Sequence, residues 1–262
     1  MTSVRALLFF IYYTGSGKSS IVNLILGKNS ATVSDSAIGC TFKFSKYAGP
    51  DGYMLYDTVG LSEGSQGTMA SAAAMKQLVN LLKSLSDGVS LLIMVIKKER
   101  ITASLEKNYQ LFVSGICLGK VPVLLVITNC EMEQKVGAWW SQNKIYFDKY
   151  KMYFEEAISG CAADPDSVPA RFRSDFTESR AETKAKLMRS MNSNALREPW
   201  KMTGGWMNWF QKIVMTVWSV ICSWFGAKVS MDPEIKTILM NNGMKEDEAT
   251  QLADEIWHVI NK

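Results

Sequence analysis

A glycine-rich segment near the amino terminus, Thr14-Gly-Ser-Gly-Lys-Ser19, carries the strongest chemical signal in the sequence. It lies between an apolar run at residues 7–13 and a segment with helical spacing at residues 18–26, which predicts a strand, a phosphate-binding loop and a helix. In such a loop the backbone amides and the helix amino terminus surround the phosphates, and the lysine reaches their β- and γ-oxygens. A glycine-rich turn with a chance lysine is the alternative. The predicted phosphate ligands are Thr14, Gly15, Ser16, Gly17, Lys18, Ser19 and Ser20.

Tyr12 departs from the full phosphate-loop pattern, which has a glycine five residues before Gly17. If the backbone at this position requires a positive φ, a tyrosine costs about 1–3 kcal/mol, and its ring can crowd the phosphates. The departure leaves two explanations open, an impaired nucleotide site or a misplaced gene start that supplied the first dozen residues.

Two further segments supply candidate groups for Mg²⁺ and for a γ-phosphate. Asp57-Thr-Val-Gly60 ends an apolar run, where the carboxylate can face the metal and the Gly60 amide can meet the γ-phosphate. Thr41, in Gly39-Cys-Thr41, can provide a hydroxyl ligand for Mg²⁺ in a loop that becomes ordered around the γ-phosphate. A threonine that simply begins a strand is a nearly equal alternative. The predicted metal ligands are Ser19, Thr41 and Asp57, and the predicted catalytic residues are Lys18, Thr41 and Gly60.

Candidate base-binding residues follow two later strands. The carboxylate of Glu131, in Thr128-Asn-Cys-Glu131, can accept hydrogen bonds from N1–H and the 2-amino group of guanine, whereas adenine presents no such pair of donors. A solvated glutamate that opens the next helix is the alternative. By position alone, Ser159 and Gly160 are expected to offer amides to the guanine O6. The predicted base-binding residues are Thr128, Asn129, Glu131 and Ser159.

Strands and helices alternate along residues 1–195. Apolar runs predict buried strands at residues 7–13, 89–96, 121–128 and 153–158, and residues 41–47 and 53–56 predict an antiparallel hairpin. Helices are predicted at residues 18–26, 68–85, 102–117, 134–151 and 177–191. This pattern predicts an α/β fold, namely a three-layer P-loop NTPase domain with a mostly parallel sheet and one antiparallel strand.

A helical extension is predicted over residues 196–262. Tryptophan and other apolar residues recur at helical spacing over residues 206–225, and residues 232–262 predict two short helices broken at Asn241-Asn242-Gly243. The longest stretch without charge, residues 213–227, is shorter than the ~20 residues that a spanning helix needs. Two interpretations stay open: peripheral contact with a membrane through residues 206–227, and packing on the α/β domain or on a second copy.

The composition excludes several classes of protein. With 29 basic and 25 acidic residues and a net charge of +4, the chain is too balanced to predict a dedicated nucleic-acid binder. Its five cysteines lack CxxC spacing, which fits neither a disulfide framework nor a zinc site. We therefore expect a reducing, cytoplasmic location, with membrane association left open by the tryptophan-rich segment.

With these residues placed, the sequence resembles TRAFAC-class GTPases, specifically the immunity-associated (avirulence-induced) GTPases and, more closely, fungal proteins with a G domain. The likeness covers residues 4–192. Its carriers are Tyr13-Thr-Gly-Ser-Gly-Lys-Ser-Ser-Ile-Val-Asn23, Gly39-Cys-Thr-Phe42, Asp57-Thr-Val-Gly-Leu61, Ser84-Leu-Ser-Asp-Gly-Val-Ser-Leu-Leu92, Val126-Ile-Thr-Asn-Cys-Glu-Met-Glu133 and Trp139-Trp140. The resemblance implies binding of GTP or GDP with Mg²⁺, a switch around Thr41 and Asp57, and assembly, as in a homodimer, through the nucleotide face.

Two further departures limit what the resemblance implies. Asn129 stands where many GTPases have a lysine that covers the base, and Leu61 follows Gly60 where small Ras-like enzymes have a water-positioning glutamine. These departures affect hydrolysis more than binding. The favoured hypothesis is a slow GTP-dependent switch. The alternatives are a degenerate G domain that acts as an interaction scaffold, and an ATP-using P-loop enzyme.

Overall fold

A six-stranded sheet is the centre of the fold in the computed structural model, which describes residues 5–11, 16–30, 44–58, 80–204, 208, 233–241 and 243–260. Its strands are β1 (Arg5–Ile11), β2 (Phe44–Ala48), β3 (Tyr53–Thr58), β4 (Leu91–Lys97), β5 (Val123–Thr128) and β6 (Glu156–Ser159). They lie in the order β2-β3-β1-β4-β5-β6. Among these strands only β2 is antiparallel to its neighbour, β3, and every other pair is parallel. The predicted α/β class and the single antiparallel strand are confirmed.

The helices separate and follow the strands. They are α1 (Lys18–Leu26), α2 (Ala103–Tyr109), α3 (Ala138–Lys149), α4 (Arg173–Asn194), α5 (Pro233–Asn241) and α6 (Glu246–Ile260). The chain continues from α2 into a π-helical segment, Gln110–Ile116, so the predicted helix at 102–117 is present with a wider second half. Residues 80–84 are also helical. The predicted strand at 41–47 and the helix at 68–85 are described only in part, and the helix at 206–225 lies outside the described residues except for Asn208.

Local hydrogen bonds explain where the boundaries differ from those predicted. The helix predicted from residue 134 begins only at Ala138, because a Glu133 side-chain oxygen accepts from the Gly137 amide at 2.9 Å and holds the preceding residues in turns. The last strand begins at Glu156 rather than at residue 153, because the Tyr153 amide donates to the Tyr109 hydroxyl at 3.0 Å. The fourth helix begins at Arg173, four residues earlier than predicted, as a continuation of the short helical turn at Ala170–Phe172.

Helices cover both faces of the sheet, and β4 shows why. Its alternate side chains point to opposite faces, as in any strand. Leu91, Ile93 and Val95 are buried in one cluster with side chains of α1 and α4. Leu92, Met94 and Ile96 are buried in a second cluster with side chains of α2, the π-helical segment and Phe147 of α3. A strand that is buried on both faces reads as a continuous apolar run, which is the pattern that predicted it.

The chain beyond α4 returns to the sheet. The Leu196 amide donates to the Ser90 carbonyl at 2.9 Å, and Trp200 exchanges two backbone hydrogen bonds with Val89, each 2.9 Å long. The predicted helix pair is confirmed as α5 and α6, with Gly243 between them at φ 95°. The pair contributes buried side chains to the second cluster, namely Leu239 of α5, Met244 of the turn between the helices, and Ala249 and Leu252 of α6. In the described ranges, no helix combines the length and the apolar character needed to cross a bilayer.

Candidate functional site

The predicted site residues that the structure describes lie at one edge of the sheet. Since β1, β3, β4, β5 and β6 are parallel, their carboxyl ends meet at the same edge. Asp57 in β3, Thr128 at the end of β5 and Ser159 at the end of β6 lie there. The segment that joins β1 to α1 begins at the same edge. Ligands of open α/β sheets bind at this edge, so the topology brings the phosphate and base candidates together.

Gly17 lies in the phosphate loop (residues 14–19), directly before α1, at a position that favours glycine. Its φ is 85° and its ψ is 11°, a left-handed conformation that residues with a side chain rarely adopt. A Cβ atom on Gly17 would also lie 3.0 Å from Cγ2 of Thr128. The Gly17 carbonyl accepts from the Ile21 amide at 2.9 Å, so the first turn of α1 begins directly at the loop.

Lys18 and Asp57 form a buried ion pair at the start of α1. The Lys18 ammonium donates a hydrogen bond to Oδ1 of Asp57, and the two side chains are only 5% and 8% exposed. Two buried charges cost several kcal/mol each in lost hydration, so each ion is tolerated because the other is present. Ser19, the next residue in α1, has a half-buried side chain.

Thr128 connects the phosphate loop to β5. Its hydroxyl donates to the Ser16 carbonyl at 2.8 Å, with the Ile96 carbonyl at 3.2 Å as a competing acceptor. Ser16 itself is 1% exposed, and its hydroxyl has no hydrogen-bond partner among the described residues. The Thr128 side chain therefore positions the phosphate loop, a role that the sequence motif did not reveal.

Glu131 lies in the base turn (residues 129–133), directly after β5. Asn129 opens the turn with φ 61°, a left-handed conformation that asparagine tolerates better than most residues. Cys130 is buried beneath the turn, and its thiol donates to the Ile127 carbonyl at 3.5 Å. Glu131 is half-buried and Asn129 is exposed, so both side chains are accessible from the sheet edge.

Glu133 holds the base turn in place. One of its oxygens accepts from the Gly137 amide at 2.9 Å, and the other lies 3.5 Å from the Lys98 ammonium. Burial, together with this carboxylate, raises the pKa of the Cys130 thiol to about 11, although a hydrogen bond from Ser159 opposes the shift. Cys130 is therefore a neutral packing residue at ordinary pH, and Glu131 projects from a turn that is fixed on both sides.

The loop after β6 differs in one respect from the prediction. The Gly160 amide already donates to the Ile127 carbonyl at 3.0 Å, so the expectation that it serves the guanine O6 is wrong. The next amide, that of Cys161, donates to the Thr183 hydroxyl on α4, also at 3.0 Å. Ser159 is buried against Cys130. No sequence motif marked Thr183, which lies far from this loop in the chain.

Replacing Gly160 by alanine is expected to lower the free energy of unfolding by about 1–3 kcal/mol, because overpacking a buried site costs that much. The added Cβ would lie 2.2 Å from Oγ1 of Thr183 and 2.7 Å from its Cγ2. Chemical denaturation of Gly160→Ala, Thr183→Ala and the double variant measures the effect. The Thr183→Ala background should remove most of the added cost, and an equal cost in both backgrounds would contradict the contact.

Five residues with predicted roles at the site, together with Tyr12, fall outside the described part of the chain. They are Thr14, Gly15, Thr41, Gly60 and Leu61. Their predicted roles stay predictions. In the ranges that the structure describes, no group of three or more histidine, cysteine, aspartate or glutamate side chains could hold a metal. The predicted magnesium site relies instead on serine and threonine hydroxyls with one carboxylate.

Known proteins share this fold. Residues 8–129 match the family model described as a 50S ribosome-binding GTPase. The structure of Era in complex with MgGDPNP and nucleotides of 16S ribosomal RNA is 16% identical, with a TM-score of 0.51 over 74% of this chain and 58% of that chain. An Aquifex aeolicus Era variant bound to GDP.AlF4- is 14% identical, with a TM-score of 0.50 over 72% of this chain and 56% of that chain.

Toc33 from Arabidopsis thaliana, in complex with GDP and Mg²⁺, has a lower TM-score of 0.44, with 17% identity over 74% of this chain and 87% of that one. The chain spans less than two thirds of the two Era chains. No curated protein matches the sequence. At 14–16% identity, the likeness to the two Era structures shows a shared fold and nothing about shared binding partners.

Proposed function

We propose that this chain, which carries a P-loop GTPase domain of the TRAFAC class, binds GTP and GDP with Mg²⁺ and acts as a slow GTP-dependent switch. The observation that carries the proposal is the buried contact between Lys18 and Asp57 at the end of the phosphate loop. A buried lysine at the amino terminus of a helix provides the positive charge that nucleotide phosphates require.

In the phosphate half of the site, Lys18 can exchange the Asp57 carboxylate for the phosphate oxygens of a nucleotide. Asp57 neutralises Lys18 when no phosphate is present, and phosphate oxygens can take over that role when a nucleotide binds. Asp57 and Ser19 then offer a carboxylate and a hydroxyl, which are oxygen ligands of the kind that Mg²⁺ prefers. These two residues, with Thr41, would hold the ion, which would offset the negative charge of the phosphates.

The base half of the site rests on Glu131. Its carboxylate projects from the fixed base turn at the same sheet edge as Lys18 and can accept from guanine N1–H and the 2-amino group. Asn129 stands beside it in place of the lysine common in related sequences, so less apolar surface covers the base. We infer guanine preference from Glu131 and a more open base site from Asn129.

Binding of a fluorescent guanine nucleotide to the purified full chain, with Mg²⁺ and with a chelator, tests the proposal. Saturable, magnesium-dependent binding that unlabelled GDP displaces would support it. A folded protein that binds no guanine nucleotide would instead favour the alternative, a degenerate G domain that acts as an interaction scaffold and whose Tyr12 impairs the nucleotide site. Displacement by ATP as readily as by GTP would favour an ATP-using P-loop enzyme.

Hydrolysis by the isolated monomer is expected to be slow, on the scale of ~10⁻⁴ to 10⁻² s⁻¹ that is typical of unassisted GTPases. Leu61 follows Gly60, so no glutamine at that position orients the attacking water. Phosphate release under single-turnover conditions, over a range of protein concentrations, measures the rate. A rate that rises with concentration would support catalysis across a homodimer, whereas fast turnover at every concentration would contradict the prediction.

We further propose a homodimer that forms through the nucleotide face and a cytoplasmic location. The resemblance to immunity-associated GTPases supports the first, and the scattered cysteines support the second. Residues 206–227 would either contact a membrane surface or pack within the assembly. Removal of residues 203–262 separates the two alternatives. Release of the truncated protein from membranes would support membrane contact, whereas its aggregation would show that the removed segment covers the core.

A further inference from the structure

The guanine base needs hydrogen-bond donors as well as an acceptor. Glu131 can serve the donors of the base, N1–H and the 2-amino group, but the acceptors O6 and N7 require protein N–H groups. The two amides that directly follow β6 are already engaged. Gly160 donates to the Ile127 carbonyl and Cys161 donates to the Thr183 hydroxyl, each at 3.0 Å. Apart from the side-chain amide of Asn129, another donor near the base turn can therefore serve O6 and N7.

Arg180 lies on the face of α4 that packs against this loop. It precedes Thr183 by three residues, so the two side chains lie on the same side of the helix. Thr183 is 2% exposed, accepts from the Cys161 amide and fills the space beside Gly160. This contact fixes the orientation of α4, and it places Arg180 one turn closer to the amino terminus of the helix. Because α4 follows the carboxyl end of β6, that turn lies toward the sheet edge that carries the site.

The Arg180 guanidinium contains a buried donor that has no acceptor. Its Nε atom is buried, and no described residue accepts a hydrogen bond from it. A buried donor that is left unpaired costs free energy, so an acceptor from a water, an ion or a ligand would stabilise it. The rest of the side chain is partly exposed, so a ligand at the sheet edge can reach it.

The charges of Arg180 and Glu131 both act on the same buried thiol. Burial is the main reason that the pKa of Cys161 is raised, the Glu131 carboxylate raises it further, and the Arg180 guanidinium opposes the rise. Both charges are thus close enough to Cys161 to influence its ionisation. A carboxylate and a guanidinium beside one loop complement the two adjacent edges of guanine, which carry donors and acceptors respectively.

We propose that Arg180 is a second guanine-recognition residue, whose guanidinium donates hydrogen bonds to O6 and N7 of the base that Glu131 holds. This inference rests on the proposed function, since it requires a guanine nucleotide at this edge. Arginine is the side chain best suited to the O6 and N7 pair, because its planar fork presents two parallel donors. Adenine carries an amino group where guanine carries O6, so Arg180 would also disfavour adenine by placing two donors together.

Analogues that each lack one group of the base separate the role of Arg180 from that of Glu131. The probes are GDP, 7-deaza-GDP, which lacks N7, and IDP, which lacks the 2-amino group. Their affinities are measured for the wild-type chain, Arg180→Gln, Arg180→Lys and the matched control Arg189→Gln, which changes an exposed arginine on the same helix. Thermal unfolding of each variant verifies that it is folded.

We expect wild-type protein to bind GDP about 10- to 100-fold more tightly than 7-deaza-GDP, as for a hydrogen bond to a charged group. In Arg180→Gln this ratio should fall to near one while the ratio of GDP to IDP affinity stays unchanged. Arg180→Lys should keep part of the preference, because a lysine is charged but lacks the fork. Arg189→Gln should behave as wild type.

Two results would overturn the inference while leaving the proposed function intact. One is wild-type affinity in Arg180→Gln. The other is an equal loss for GDP and 7-deaza-GDP, which would show that Arg180 supports only the fold. If the folded wild-type chain bound none of the guanine nucleotides, the proposed function and this inference would both fail.

Discussion

Replacing Lys18 by alanine is expected to weaken the binding of Mg²⁺ and GDP by about 30- to 5,000-fold, equivalent to ~2–5 kcal/mol. The lysine supplies the buried positive charge for the phosphates. Among the described ion pairs of Asp57, Lys18 is the one cation. Equilibrium titration with a fluorescent GDP measures the loss. Lys28→Ala, which removes an exposed lysine just after α1, is the matched control and should bind as wild type.

The same substitution leaves Asp57 buried without its counter-charge, which is expected to cost the empty protein about 3–5 kcal/mol of stability. A second variant separates the two effects. Lys18→Met combined with Asp57→Asn removes both charges and should recover most of the stability, while nucleotide binding stays lost. Near wild-type affinity in a folded Lys18 variant would show that this loop does not hold the phosphates.

Replacing Glu131 by alanine is expected to lower the preference for guanine over adenine nucleotides by about 1.5–3 kcal/mol, or roughly 10- to 150-fold in relative affinity. The carboxylate is the proposed acceptor for the guanine donors. Because Glu133 rather than Glu131 fixes the base turn, the fold should be unaffected. Competition of GTP and ATP against labelled GDP measures the preference, and Glu155→Ala, an exposed glutamate before β6, is the control. Equal competition by GTP and ATP against the wild-type protein would refute the assignment.

The phosphate half of the site could be predicted because its chemistry is local. Gly17, Lys18 and Ser19 are adjacent in sequence, and the required backbone conformation restricts the residue types that can occupy the loop. Asp57 is distant in sequence, but it lies next to the last residue of β3, a strand that is parallel to β1. The rule that parallel strands end at one edge of a sheet was therefore enough to predict that Asp57 lies near Lys18.

The remaining contacts depend on how helices pack, which no spacing in the sequence reveals. Thr183 and Arg180 belong to a helix that is rich in charged and polar residues, and their roles arise from the way that helix lies on the loop after β6. The interpretation of Gly160 failed for a related reason. Its amide is taken by the Ile127 carbonyl of the adjacent strand, and that bond depends on strand register.

The hydrogen bond from Thr128 to Ser16 makes the two halves of the site thermodynamically reciprocal. One hydroxyl joins the loop that meets the phosphates to β5, the strand that leads into the base turn with Glu131. If filling the phosphate loop strengthens or strains this bond, base affinity changes by some factor, and binding of the base must change phosphate affinity by the same factor. A neutral hydrogen bond of this kind contributes about 0.5–1.5 kcal/mol, which limits the cooperativity it can transmit to roughly tenfold. Discrimination between GTP and GDP and discrimination between guanine and adenine are then two readouts of one coupled equilibrium.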